Sequence, residues 1–307
     1  MRNRRLITVA ALGAAASLAL AGCASDGAGG TIELAGGGSD AAGGGDKGTI
    51  TLGFLPSWTD GLSTAYLLQD QLEKLGYTVE MNTLTEAGPL YTGLAQGDVD
   101  IFPSAWPEIT HAEYMATYGD SIEDLGTYYD NAKLTIAVPE YTDIDSIDEL
   151  AAASDRFGGR IYGIEPGAGL TGQTQKMMPE YGLDGYELVT SSTAAMLTEL
   201  KSATENEKDI VVTLWRPFWA NDAYPVKDLE DPKGAMGEAE GLHFLGTKGF
   251  AAQYPEAAAL IEKIQLDDAQ YGSLEDLVVN EYGEGREAEA VDAWLEEHGS
   301  EFDWVVD

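Results

Sequence analysis

Apolar and polar residues along this chain recur with two periods, and the switches between them lay out strand–loop–helix units. Thr49 to Leu55 (TITLGFL) alternates and reads as a strand. Pro56 to Gly61 ends it, and Leu62 to Leu75 follows as a helix closed by Gly76. Tyr77 to Leu84 is a second strand, Glu86 to Pro89 a turn, and Leu90 to Gln96 a short helix closed by Gly97. Val99 to Phe102 is a third strand; Pro103 is expected to stop its ladder, and a loop then delivers Trp106 before a helix through Glu113 and Met115.

Residues 110–130 read as helix and loop, and Leu134 to Val138 as a strand. Ser146 to Ala153 reads as a helix whose start Ser146 and Asp148 favour. Arg160 to Ile164 is a strand, followed by the turn EPGAGLTG and a helix. Leu183 to Thr190 is another strand, Ser192 to Leu200 a helix, and Asp209 to Leu214 a buried strand that ends in WRPFW. Asp222 to Glu240 is a polar loop, His243 to Phe250 a return crossing, and the rest helical. Strands alternating with helices predict an α/β fold. A crossing at Val138 to Tyr141 and the later return divide it into two lobes, 49–138 with 246–307 and 139–245.

The first 48 residues follow different rules. Arg2, Arg4 and Arg5 precede an Ala/Leu-rich run from Leu6 to Ala21, a basic region and an apolar core too short and small-sided for a comfortable membrane span. The run ends in Leu20-Ala21-Gly22-Cys23, which resembles the lipobox of bacterial lipoproteins. On that resemblance residues 1–22 are a signal peptide and the Cys23 thiol carries a lipid that holds the protein outside the cell membrane. Cys23 is the only cysteine, so an internal disulfide framework is excluded. Residues 24–48 hold ten Gly in 25 positions and read as a tether reaching about 25–30 Å.

Charge narrows the partners. The formal net charge of −36 becomes −39 without the three arginines of the leader, which bears no acids. That excludes nucleic acid as a partner and argues against docking on anionic lipid through basic patches.

Three tryptophans change the picture. Trp58, Trp106 and Trp215 each follow or end a strand, two in one lobe and one in the other, where an open α/β sheet places ligand-binding side chains. His111 lies five residues beyond Trp106 and offers a donor, although core packing for Trp106 and an ordinary surface position for His111 stand as the alternative. Trp219 reads as packing or rim, Trp294 as core and Trp304 as a tail anchor. Gly167, Gly169 and Gly172 spell GxGxxG, with Glu187 twenty residues on. A dinucleotide has no place in an exported protein, but the same glycines aim backbone N–H groups at a small anion such as a carboxylate. A quaternary ammonium has no N–H to donate, so aromatic faces are what can recognise it. A ligand with that cation at one end and a carboxylate at the other fits both features.

The stretches LGFLPSWTD, EAGPLY, DIFPSAWPEITH, YGIEPGAGL, SSTAAML and VVTLWRPFW together resemble the glycine betaine/proline betaine/choline-binding proteins of ABC importers, from Ile50 to about His298. The resemblance implies the two-lobed type II periplasmic-binding-protein fold. It also implies a box of Trp58, Trp106 and Trp215 around a trimethylammonium, with the ligand carboxylate on the backbone N–H groups of Gly169 and Leu170 and on His111. Hinge closure and delivery to a membrane permease follow from it, with no cofactor and no metal. Choline-binding members place an Asp two residues after the first cage Trp, where Asp60 stands, and a Tyr where Leu134 stands; betaines are therefore expected over choline or carnitine. An exported lipoprotein hydrolase using Glu86 and Asp60 is the remote alternative, without a GxSxG elbow or metal-spaced His. A scaffold lipoprotein would bind no small molecule.

Overall fold

The computed structural model describes residues 47–306; the expected leader, Cys23 and most of the Gly-rich tether lie outside them. Among the described residues nine strands form a mixed sheet. β1 (Thr49–Phe54) lies between two parallel partners, β2 (Thr78–Thr83) and β3 (Ile101–Ala105). β4 (Ile122–Pro139) crosses the molecule. Then come β5 (Arg160–Tyr162), β6 (Glu187–Val189), β7 (Val212–Arg216), β8 (Val226–Asp228) and β9 (Glu240–Thr247). The strand order is β2-β1-β3-β9-β4-β7-β5-β6, with β8 paired to β4.

β4 makes two lobes from one sheet. Its first part, Ile122 to Ala132, pairs antiparallel with β9; its last part, Lys133 to Pro139, pairs with β7 and β8. β1, β2, β3 and β9 therefore flank one end of it, and β5 to β8 the other. Only Leu134 to Val138 was expected to be strand. The polar run Asp130-Asn131-Ala132-Lys133 conceals the continuity, because three of those four side chains face solvent where the strand passes between lobes. The sequence pattern is local, whereas this strand is held by different partners at its two ends.

The helices are α1 (Thr59–Lys74), α2 (Ala87–Gln96), α3 (Ala112–Tyr118), α4 (Gly169–Glu180) and α5 (Thr193–Glu205). After them come α6 (Ala220–Ala223), α7 (Phe250–Gln253), α8 (Pro255–Ile261), α9 (Asp268–Asp276) and α10 (Glu287–His298). Gly97 closes α2 in the left-handed region, φ 79°, as its place after the last apolar turn predicts. The expected helix from Ser146 shrinks to one 3-10 turn, Ile147–Glu149. Ser146 and Glu149 do form a capping box, but the chain after them breaks into turns. The polar loop after Asp222 contains β8, and the segment read as a return crossing from His243 belongs to a strand that begins at Glu240.

Trp294 is fully buried on α10 and donates its Nε1–H to Ser273 Oγ at 2.8 Å. Trp304 is buried and stacks on Phe302 with ring centroids 4.7 Å apart, while the Val306 N–H reaches Gln71 on α1. Among the described residues no helix is long and apolar enough to cross a membrane.

Candidate functional site: a tryptophan-lined cavity between two lobes

β1, β3 and β7 run their carboxyl ends toward one cavity. Trp58, Trp106 and Trp215 all line it, as do Asp60, His111, Leu134, Gly169 and Leu170. Every expected cage, anion and hydroxyl residue is thus brought to one cavity. The expected surface position for His111 fails, since it is buried, whereas Trp106 is part of the core and also lines the cavity.

Trp106 arrives by a route unlike the expected one. Pro103 does not stop β3; the strand runs through it to Ala105, with a register shift against β9 between Phe102 and Ala105. A bulge tolerates a proline that a regular ladder would not. The indole N–H of Trp106 then donates to Asp60 Oδ2 at 3.1 Å, and Ser104 Oγ donates to the same oxygen at 2.7 Å. Burial pushes the Asp60 carboxyl up, and those two hydrogen bonds pull partly against it. Glu275, on α9, is fully buried behind this wall and accepts from the Thr59 hydroxyl. Desolvation pushes it up to about 8, and the nearby Asp60 and Asp222 charges push the same way.

The loop from Trp106 to His111 is braced from β9. The Glu240 carboxylate accepts the backbone N–H groups of Ile109 and Thr110 at 2.9 and 3.0 Å. His243 bridges Glu108 at 2.8 Å and Asp124 at 2.9 Å, one on each ring nitrogen. His111 Nδ1 accepts the Trp106 backbone N–H at 3.1 Å. Burial lowers this imidazole to about 3, so the ring is neutral and its proton sits on Nε2 as a donor. Its ring stacks on Trp58, centroids 6.1 Å apart.

The second lobe contributes differently. Trp215 sits in β7 opposite Leu134 of β4 and stacks on Phe218 with centroids 3.8 Å apart and planes 19° from parallel. Gly169 and Leu170 open α4, where the first-turn N–H groups have no intrahelical acceptor. Gly169 can be nothing else, because a Cβ there would lie 2.0 Å from the Thr110 carbonyl oxygen of the other lobe. The lobes also meet where Tyr114 Oη donates to the Gly167 carbonyl at 2.7 Å and Lys176 pairs with Glu113 at 2.8 Å.

Trp219 packs on Phe218 and Tyr224 and lines a neighbouring groove, not this cavity. Among the described residues Asp60 is the sole acid lining the cavity, and Glu86 stands beside Gly167. Glu165 and Glu275 had no role in the sequence reading. Glu165 stands just past a strand end in YGIEPGAGL, and that position was its only signal.

Two lobes sharing one sheet strand, with a cavity at their meeting, define a solute-binding protein of the two-lobed periplasmic type. The lactococcal OpuAC protein in its closed form with glycine betaine shares this fold at 30% identity, with 83% of this chain and 98% of that one covered and a TM-score of 0.76. An ABC-transporter choline-binding protein in complex with choline follows at 25% identity, 83% and 91% covered, and a TM-score of 0.75. The glycine betaine/carnitine transport binding protein of Listeria monocytogenes is 39% identical over 104 residues, where the match spans 33% of this chain and 35% of that protein. The glycine betaine/proline betaine-binding periplasmic protein of Escherichia coli is 26% identical over 281 residues, spanning 78% and 84%. Residues 48–297 match the substrate-binding domain of ABC-type glycine betaine transport systems, and the chain belongs to that family.

Proposed function

We propose that this protein captures a quaternary-ammonium osmolyte, glycine betaine or proline betaine, and delivers it to the membrane permease of an ABC importer. The observation that carries this reading is the convergence of three indoles from both lobes on one cavity that also holds the start of α4. Trp58, Trp106 and Trp215 surround the cation, each face contributing about 0.5–2 kcal/mol once water is gone. The ligand carboxylate takes the N–H groups of Gly169 and Leu170 and the Nε2–H of His111. The lobes, residues 49–138 with 246–307 and 139–245, close on it, because each supplies part of the site.

The choline reading draws on Asp60, two residues after Trp58. Three considerations favour a betaine. Asp60 Oδ2 already holds Ser104 and Trp106, and Leu134 offers no hydroxyl where choline binders place a Tyr. A betaine also needs donors, which α4 and neutral His111 offer, whereas the choline hydroxyl needs a free acceptor.

The protein binds and releases its ligand unchanged, works outside the cytoplasm and is held to the cell membrane by lipid on Cys23. Calorimetry with glycine betaine, proline betaine, carnitine and choline tests the ligand: betaines should bind at least tenfold tighter than choline, and no heat at millimolar glycine betaine would end this reading. Ligand recovered chemically altered after long incubation would favour the hydrolase. Cys23→Ala should release the protein from membranes, and retention would refute the anchor.

A further inference from the structure

Glu165 belongs to the second lobe, in the turn between β5 and α4, and is 5% exposed. Its carboxylate receives four hydrogen bonds, two at each oxygen. Oε1 accepts the Thr193 backbone N–H at 2.9 Å and Ser57 Oγ at 3.3 Å. Oε2 accepts Thr193 Oγ1 at 2.9 Å and Trp58 Nε1 at 3.2 Å. Thr193 opens α5, 13 residues long, whose N-terminal dipole suits a carboxylate. Ser57 and Trp58 belong to the first lobe. Each oxygen therefore has one donor from its own lobe and one from across the cleft.

That arrangement separates two jobs. Thr193 fixes Glu165 in place whether or not the lobes touch. Ser57 and Trp58 can reach it only when they do. The Trp58 ring has His111 against its face and Glu165 on its indole N–H, so the carboxylate fixes its remaining rotation. A donor lost from a buried carboxylate costs more than a neutral hydrogen bond, and so does one lost on opening.

We infer that Glu165 is a positioning residue, a latch through which closure of the second lobe sets the Trp58 indole and slows escape of the ligand. This rests on the proposed reading of the cavity as a quaternary-ammonium site. It assigns Glu165 no contact with the ligand.

Glu165→Gln separates the latch from its surroundings. The amide keeps the size; its oxygen at Oε1 still accepts from Thr193 and Ser57 and its NH2 can donate to Thr193 Oγ1, so the Trp58 indole N–H alone loses its acceptor. Stopped-flow tryptophan fluorescence of the full-length protein with glycine betaine should show the dissociation rate rising roughly five- to tenfold. The association rate should stay within twofold and the ligand-free unfolding midpoint should be unchanged. A merely structural role would move that midpoint and would not split the two rates. Ser57→Ala, which leaves both Thr193 bonds intact, should raise the dissociation rate about twofold. Adding it to Glu165→Gln should raise the rate about twofold further, because Ser57 bonds the oxygen that the amide keeps.

A Glu165→Gln dissociation rate within twofold of the parent overturns the latch. If Glu165→Gln does not fold, an unchanged rate in Ser57→Ala does so instead. Should the parent protein bind no glycine betaine, the ligand reading falls, and small-angle scattering of the ligand-free protein decides the latch. A larger radius of gyration for Glu165→Gln upholds it, and equal radii overturn it.

Discussion

The two lobes present the same ring type to one cavity by opposite means. In the first lobe, indoles are held by their N–H edges, Trp106 on Asp60 and Trp58 on Glu165. In the second, Trp215 is held by its face against Phe218. An edge bond fixes rotation of the ring plane but requires a buried carboxylate, with the desolvation that entails. A stacked face needs no polar partner but fixes the ring less tightly. The polar half of the cavity wall is also the half with raised acids behind it, Asp60 and Glu275. It is incomplete by itself, since Glu165 comes from the other lobe.

The largest expected effect breaks the contact between the lobes. Gly169→Ala would drive a methyl to 2.0 Å from the Thr110 carbonyl oxygen, so the observed approach of the lobes could not form. Glycine betaine affinity measured by calorimetry should fall by about a thousandfold or more, because neither backbone has room to give. Retention of affinity within tenfold would show that the lobes bind without meeting here.

Next comes the buried acid behind the first-lobe wall. Glu275 faces Thr59, Asp60, Asp222 and the backbone of Trp219, and it titrates near 8 instead of 4.5. The native state therefore holds this proton where the unfolded chain has released it. Stability should fall as pH rises through the window from about 4.5 to about 8, each pH unit costing up to about 1.4 kcal/mol. Denaturant unfolding at pH 5 and pH 8 should show a loss of a few kcal/mol that Glu275→Gln removes. An equal slope in both proteins would assign the pH dependence elsewhere.

The edge-held and face-held rings can be compared directly. Trp106→Phe keeps an aromatic face but leaves Asp60 with one donor fewer, whereas Trp215→Phe loses mainly ring area. Affinity for glycine betaine should drop roughly tenfold in the first and about threefold in the second. Equal losses would erase the distinction between the lobes.

The smallest expected change is none. Burial holds His111 near 3, so its ring nitrogens should show the neutral Nε2–H pattern in NMR spectra from pH 5 to pH 8. Protonation of that ring near pH 6 would show water reaching it and would weaken its assignment as a fixed donor.

Some of this was written in the chain and some was not. Periodicity, Gly-closed helices and strand-ending tryptophans marked the α/β class and the three rings that line the cavity, because helix caps and strand ends are decided by neighbours within a few residues. The crossing strand β4 was hidden by its exposed middle, where lobe partners, and not the local pattern, hold it extended. Pro103 looked like a stop because a bulge against β9 cannot be read from one strand. Glu165 stands 107 residues from the indole it holds and 28 from Thr193, and Glu275 stands 216 residues from Thr59. Hydrogen bonds at that separation depend on which surfaces fold together. The sequence determined which residues reach the cavity; the tertiary structure decided what holds them, since burial and lobe contact alone give a lone acid its partners.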